Sequence, residues 1–267
     1  MNVWRAILAA ALFAAVVPAA AGERTTGPES QRELRVCVDP DNLPLSSDRM
    51  GEAPGFDVEI AQALAAGLDL RPRFIWVDTT YGSRTLRRSL FAGQCDVFMG
   101  LPVDSTAETP SALALTAPYY STGYRLVGRQ QRSDSAIVPG ELRTARIGVE
   151  RQSGAHMRLE RIDSHLVVYA NQHEVLEAVA RDDVDLGAVW LPDVDRLLRD
   201  RATAVHVVGS GTPDRLLRWN VAIGVRRSDA DLQAALTRAI GDLLRSGRIE
   251  AIFDKYGVPF FPPFADR

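Results

Sequence analysis

The chain reads as an α/β protein of two lobes, and three observations point there. A unit recurs about ninety residues apart: the end of an amphipathic helix, a short polar turn, an Asp, an apolar strand, then Leu-Pro. Its first copy is Ser89–Pro102 around Asp96, its second Ala178–Pro192 around Asp185. Each copy closes its own βαβ series, the pattern of a mostly parallel sheet covered by helices. Two extended segments, Tyr124–Gly128 and Trp219–Val225, interrupt the alternation and read as crossovers between lobes. Two lobes imply a cleft, where small molecules bind.

In order, Leu34–Val38 is the first strand, ending in the turn-rich Asp39-Pro40-Asp41-Asn42-Leu43-Pro44. Gly55 opens a helix whose apolar stripe is Phe56, Ile60, Leu64 and Leu68. Phe74–Val77 is a strand, and Thr79-Thr80 offers caps for a helix carrying Leu86, Leu90 and Phe91. The strand Asp96–Leu101 completes the first series, and Pro118–Gly123 breaks it. Ala145–Val149 is a strand, Ser153-Gly154 starts a helix, and Leu166–Tyr169 is a strand. Asn171 caps a helix with Val175, Leu176 and Val179 inward, followed by the strand Leu186–Trp190, a helix Asp193–Arg199 and a strand near Val205–Val208. Ser228 with Asp231 resembles a capping box for a helix with Leu232, Leu236, Ile240, Leu243 and Leu244 on one face. Ser246-Gly247 stops it, and a short Ile249–Tyr256 helix leads to a Pro-rich end.

The first residues read as a secretory leader: a positive start, the apolar Ala6–Val17, then Ala19-Ala20-Ala21 for cleavage. The apolar stretch is well short of the roughly 20 residues a bilayer span requires. No Cys follows it to accept a lipid, so residues 1–21 are expected to be removed and the rest exported to a periplasm. The net charge of −3, with scattered positive charges, excludes the footprint of a nucleic-acid binder. Lys255 is the only lysine, which fits an Arg-rich codon bias without a functional meaning. Cys37 and Cys95 are either a disulfide, which an exported protein permits, or two buried thiols, because their strand positions are offset. The four histidines, His156, His165, His173 and His206, match no compact metal motif. There is no Gly-rich phosphate loop and no G-x-S-x-G.

These pieces in this order resemble a bacterial periplasmic solute-binding protein of the type II, two-crossover kind, similar to family 3. The matching residues are Leu34–Pro40, Gly55–Ala61, Ala92–Val97, Ala117–Tyr120, Ile147–Val149, Leu244–Ile249 and Lys255-Tyr256. The resemblance implies two lobes closing on a ligand by hinge motion, lobe 1 being 32–123 plus 226–267 and lobe 2 being 124–225. Ligands of open α/β sheets sit beyond the carboxyl ends of the strands. The loops Asp39–Pro44, Pro102–Asp104, Glu150–Gly154 and Trp190–Asp193 then surround the cleft.

Amino-acid-binding members carry Thr-x-x-Arg after the first-repeat strand and an Asp near the end of the second-repeat strand. Here Pro102–Thr109 has no Arg, and Trp190 takes the place of the Asp. Loss of both anchors argues against a free α-amino acid, because Asp104 does not replace a bidentate Arg. Cys37 in Arg-Val-Cys-x-Asp-Pro-x-Asn-Leu-Pro, Cys95 in Cys-Asp-x-x-Met-Gly-x-Pro, and Pro118-Tyr119-Tyr120 are similar to a narrower group. These are the solute-binding-like proteins encoded with quinoprotein (PQQ) dehydrogenases, of the methanol-oxidation J type. The chain has Leu45 where those relatives tend to have Phe.

The resemblance implies a non-enzymatic protein without a cofactor. Its partner is a PQQ-dependent dehydrogenase or its cytochrome; the alternative is an ABC permease, with the chain as receptor for a small organic solute. A cyclohexadienyl dehydratase-like enzyme, with Asp104 or Glu150 as acid, is the remaining reading. The expected ligand contacts are Asp39, Asn42, Leu43, Pro102, Asp104, Tyr119, Ser153, Gly154, Trp190 and Asp193. Several have a plainer explanation: Asp39 and Asn42 as turn builders, Ser153 as a helix cap rather than an anion site, Tyr119 or Tyr120 as hinge packing, Trp190 as core.

Overall fold

A computed structural model describes residues 32–79, 82–103, 109–129, 139–199, 204–209 and 215–265. The expected leader (1–21), Thr80 of the expected cap and Asp104 lie outside them. In the first lobe, β1 (Glu33–Val38) runs into the small ladder of β2 (Asp41–Asn42) with β3 (Ser46–Ser47). Helix α1 (Phe56–Gly67) follows, then β4 (Arg71–Trp76), α2 (Ser83–Arg88), β5 (Val97–Val103) and β6 (Leu113–Leu115). Strand β1 lies between β4 and β5, parallel to both. The α1 stripe packs as expected, with Phe56, Ile60 and Leu64 buried. Helix α2 stops at Arg88, so Leu90 and Phe91 sit in the turns after it, and its cap is Gly82 rather than a threonine.

Strand β7 (Tyr120–Gly128) leaves this lobe, and α3 (Pro139–Thr144), β8 (Arg146–Glu150), α4 (Gly154–Glu160) and β9 (His165–Tyr169) begin the second. Then come α5 (Gln172–Ala180), β10 (Leu186–Trp190), α6 (Leu191–Arg199) and β11 (His206–Val207). Strand β8 is parallel to β9 and β10, repeating the first-lobe arrangement. The Asn171 cap is present, its side chain accepting from Glu174 N. After a 3-10 turn at Arg215–Leu217, β12 (Arg218–Arg226) returns to the first lobe, where α7 (Ala230–Arg245) and α8 (Arg248–Lys255) complete it. The expected Ser228 capping box is not formed: Asp229 is the cap, and Ser228 Oγ donates to Asp229 Oδ1 instead.

The two crossing strands pair with each other over Tyr120–Gly123 and Arg218–Val221. Crossing thus starts four residues earlier than the break at Pro118 suggested, because a proline removes only its own N–H. The chain end is laced over this pair. Ser121 N donates to Phe261 O at 2.8 Å, Asn220 Nδ2 to Phe264 O at 2.7 Å, and Phe264 N to Asn220 Oδ1 at 3.0 Å. Among the described residues, no helix is long and apolar enough to cross a membrane.

The repeated Asp has the same task in both lobes. Asp96 accepts from Arg35 N, Nε and Nη2 at 3.1, 3.0 and 2.6 Å, while Asp96 N donates to Arg35 O. Asp185 accepts from Arg146 N, Nε and Nη2 at 2.8, 3.4 and 2.9 Å, while Asp185 N donates to Arg146 O. Each clasp fixes the register of the central parallel pair at its amino-terminal edge. Beside the first clasp, Cys37 and Cys95 form a disulfide with Cα atoms 5.7 Å apart, so the strand offset is bridged.

The clasps differ in environment. Burial pushes the Asp96 carboxyl up, yet its bonds to Arg35 and Arg226 more than offset this and hold it below the usual carboxylate range. Asp185, with a side chain 47% exposed against 19% for Asp96, is held down by Arg146. Asp96→Ala is therefore expected to cost about 2 kcal/mol, since it removes the half-buried carboxylate that Arg35 and Arg226 share, leaving Arg226 with Asp229 and Arg35 with the Gly93 carbonyl. Asp185→Ala should cost about 1 kcal/mol or less. Urea denaturation of both variants checks this; equal losses would show that burial does not separate the two clasps.

Candidate functional site

The carboxyl ends of β1 and β5 open into a cavity of about 400 Å³ in the first lobe. Asp39, Asn42, Ser46, Asp57 and Thr79 form its polar wall, with Leu86 and Phe98 on the apolar side. Asp39 builds the expected turn and also borders the cavity. Its Oδ1 accepts from Asp41 N at 2.9 Å and closes the turn, while Oδ2 accepts from Thr79 N and Oγ1 at 2.8 and 2.5 Å. Thr79 therefore holds the wall of this cavity instead of capping α2. Asn42 and Pro102 line the cavity. Leu43 does not; its side chain is exposed, and Leu45 faces the cavity in its place.

Asp57 was not singled out from the sequence. It sits in the first turn of α1 with 3% exposure, and its Oδ1 accepts from the Tyr119 hydroxyl at 2.7 Å. The Tyr119 oxygen in turn accepts from Gly100 N at 3.1 Å. Gly100, with φ +77°, crosses so closely that a Cβ there would stand 3.3 Å from Asp57 Oδ2. Burial raises the Asp57 carboxyl to about 7, against the opposing effect of the Tyr119 bond. Tyr119, expected as a ligand contact, has no exposed surface and acts as the brace of this acid. A signal was present in the spacing. Asp57 precedes Ile60, Ala61 and Leu64 by three, four and seven residues, so it lies on the core stripe of α1.

The second-lobe face is aromatic. Trp190, at the end of β10, stacks on Trp219 of β12 with centroids 5.6 Å apart, and Tyr124 of β7 lies 5.3 Å from Trp190. The Arg158 guanidinium covers Trp219 at 5.1 Å. Ser153 is a helix cap, accepting from His156 N at 3.1 Å, and the Tyr124 hydroxyl bonds Ser153 and Gly154 N. These contacts engage the α4 start, so it is not an open anion site. Gly154 is needed for packing, because a Cβ would stand 3.3 Å from both Trp219 and Tyr124. Asp193 lies in the first turn of α6 near Glu150, whose carboxyl is pushed up by burial, eased by its Gln172 bond, and pushed up further by the Asp193 charge.

The two faces meet at a smaller cavity of about 150 Å³ lined by Pro102, Gly154, Met157, Arg158, Arg161 and Trp219. Pro102 borders both cavities, and Trp219 rather than Trp190 supplies the flat wall. Among the described residues, the first-lobe cavity thus has two carboxylates and no Lys, Arg or His in its lining, while arginines border the second-lobe side.

Residues 34–259 match the family described as bacterial extracellular solute-binding proteins, family 3. The chain is similar to Protein MoxJ of Methylorubrum extorquens, 26% identical over 260 residues, 86% of this chain and 82% of that protein. It is also similar to the lysine/arginine/ornithine-binding periplasmic protein of Escherichia coli, 26% identical over 241 residues, 84% of this chain and 86% of that protein. Among solved structures, the L-cystine solute receptor of Neisseria gonorrhoeae in its unliganded open conformation superposes with a TM-score of 0.69 at 18% identity. That match covers 88% of this chain and 96% of the receptor, and it shows the two-lobe type II fold.

The raised Asp57 carboxyl has a consequence for stability. An unfolded Asp titrates near 3.9 and the native one at about 7, so between those values the native state binds more protons than the unfolded one. Stability must then fall as pH rises through that window, by up to about 4 kcal/mol if Asp57 acts alone. Asp57→Asn removes this contribution. Urea unfolding at pH 5 and pH 8 should show the wild type losing stability relative to the variant; parallel profiles would show that Asp57 ionises in the fold without penalty.

Proposed function

The chain belongs to the bacterial extracellular solute-binding proteins of family 3, and from that premise we propose that it serves in the periplasm as a non-enzymatic accessory protein of a PQQ-dependent alcohol dehydrogenase. The observation that carries this reading is the charge of the cleft. An amino-acid clamp needs a cation on the first-lobe side for the ligand carboxylate. Here that side has Asp39 and Asp57, and arginines stand opposite. Further support comes from the paired cysteines of the narrower resemblance, which are bonded to each other, and from the similarity to Protein MoxJ along most of the chain.

In this reading, lobe 1 (32–123 with 226–267) and lobe 2 (124–225) move against each other about the β7–β12 pair. The second reading is receptor of an ABC importer for a small organic solute. It is favoured by an amino-acid-binding relative at the same identity, 26%. An enzymatic role would need an anchor for substrate carboxylates in the first-lobe cavity, where the lining is acidic.

Native mass spectrometry of the mature protein with the dehydrogenase and its cytochrome tests the proposal. A specific complex is the expected outcome. Lack of association, together with tight retention of a metabolite, would transfer the protein to the receptor role. Turnover of prephenate would overturn the non-enzymatic assignment.

A further inference from the structure

We propose that the first-lobe cavity is a subsite for a small organic ammonium with an apolar body, held by Asp57 through the opening that Gly100 leaves. This deepens the solute-binding reading and rests on it, since it names the ligand chemistry of the same cleft.

The argument starts from an incomplete carboxyl. Asp57 is buried, and Tyr119 satisfies Oδ1. No donor among the described residues reaches Oδ2, which stands beside Gly100 at the wall of the cavity. A buried carboxylate lacking a countercharge is costly, and a cation placed against it recovers much of that cost. Among the described residues the lining has no Lys, Arg or His, and the second acid, Asp39, adds to the negative potential. A carboxylate-bearing ligand end would be repelled by both.

The remaining surroundings select the kind of cation. Among the described residues, no group of three His, Cys, Asp or Glu side chains could hold a metal ion. The Leu45, Leu86 and Phe98 walls suit an alkyl body, and about 400 Å³ is within the range of small-ligand sites. Gly100 matters twice, because its φ of +77° suits glycine and because any side chain would crowd Oδ2.

Binding is coupled to ionisation. The groups facing Asp57 are Tyr119, just before β7, and Tyr120 at its start, both pushed well above their usual values by burial and by the Asp57 charge. Asp39 lies in the same cavity wall. On the outer side of α1, Glu59 is paired with Lys255 and Tyr256. Asp57 therefore titrates near neutrality, and an ammonium should be held above that point and released below it.

The test is an NMR titration of the full mature protein with n-butylammonium, with n-butanol and n-butyrate as controls. The Gly100 and Asp57 amides should shift saturably with n-butylammonium only, with Kd weakening about tenfold per pH unit below 7. Asp57→Asn should weaken binding by about tenfold or more and flatten the pH dependence. Tyr119→Phe keeps the carboxyl but strips the hydroxyl that holds it down, so the midpoint of the pH dependence should move up. Equal binding of n-butanol, or full affinity in a folded Asp57→Asn protein, overturns the proposal. Should that variant not fold, an unchanged midpoint in Tyr119→Phe overturns it. Ammonium binding without a dehydrogenase complex supports this inference and removes only the accessory role; a complex without ammonium binding does the reverse.

Discussion

The antiparallel pairing of Tyr120–Gly123 with Arg218–Val221 is the constraint on which the rest of this molecule depends. Among the described strands, it is the one ladder that joins the first-lobe sheet to the second. The approach is close enough that a Cβ on Gly123 would stand 2.0 Å from Leu217 O, so only glycine fits. The chain end reinforces the pair from outside. Arg218 reaches Ser121 Oγ and Pro262 O, and its guanidinium lies 4.6 Å over Phe264. The crossing strands are thus bound both to each other and to the tail. Pro102 and Gly154 border the smaller cavity next to this pair, one from each lobe.

Within each lobe the amino-terminal edge is rigid by the same device, an Arg–Asp clasp between the first residues of neighbouring parallel strands. The carboxyl edges carry the differences. One lobe ends in a pocket with a buried acid, and the other ends in a stack of Trp190, Trp219 and Tyr124 under Arg158. A repeated scaffold with unlike ends gives the cleft two chemically different faces.

The parts of the fold that depend on local pattern were legible from the residues. The strand Leu186–Trp190, the α1 stripe, the Asn171 cap and the stop at Ser246-Gly247 each follow from spacing or from one side chain's chemistry. What was hidden depends on partners far away in sequence. Cys95 meets Cys37 although it precedes β5, with Asp96 beside it tethered to Arg35 of β1. Thr79 was read as a cap because its partner Asp39, forty residues earlier, could not be seen. Trp219 was read only as part of a crossover, and Trp190 as the cleft wall. Their stacking puts Trp219 in front, and no periodicity within either strand records that order. Asp57 was missed for another reason: an acid beside Phe56 at a helix start reads as a favourable first-turn charge, and that reading masked its place on the core stripe.

Comparison among the carboxylates shows why Asp57 stands apart from the structural acids. Asp96 and Asp185 each engage both oxygens with an arginine, and both are held below the usual range. Asp39 is likewise bonded through both oxygens, to Asp41 N and to Thr79. An acid whose task is to fix the fold completes its hydrogen bonds within the fold, because an open oxygen in a low-dielectric site is costly. Asp57 is the most enclosed of the four and has one oxygen bonded, by a neutral phenol. Burial accordingly lifts it to about 7, where its charge responds to whatever enters the cavity. A brace for α1 would be served equally by an amide, which accepts the same Tyr119 hydroxyl without a charge to desolvate. An ionisable group with one oxygen left toward a cavity is suited to a task that requires the charge, and a cationic ligand is the partner that such a charge selects.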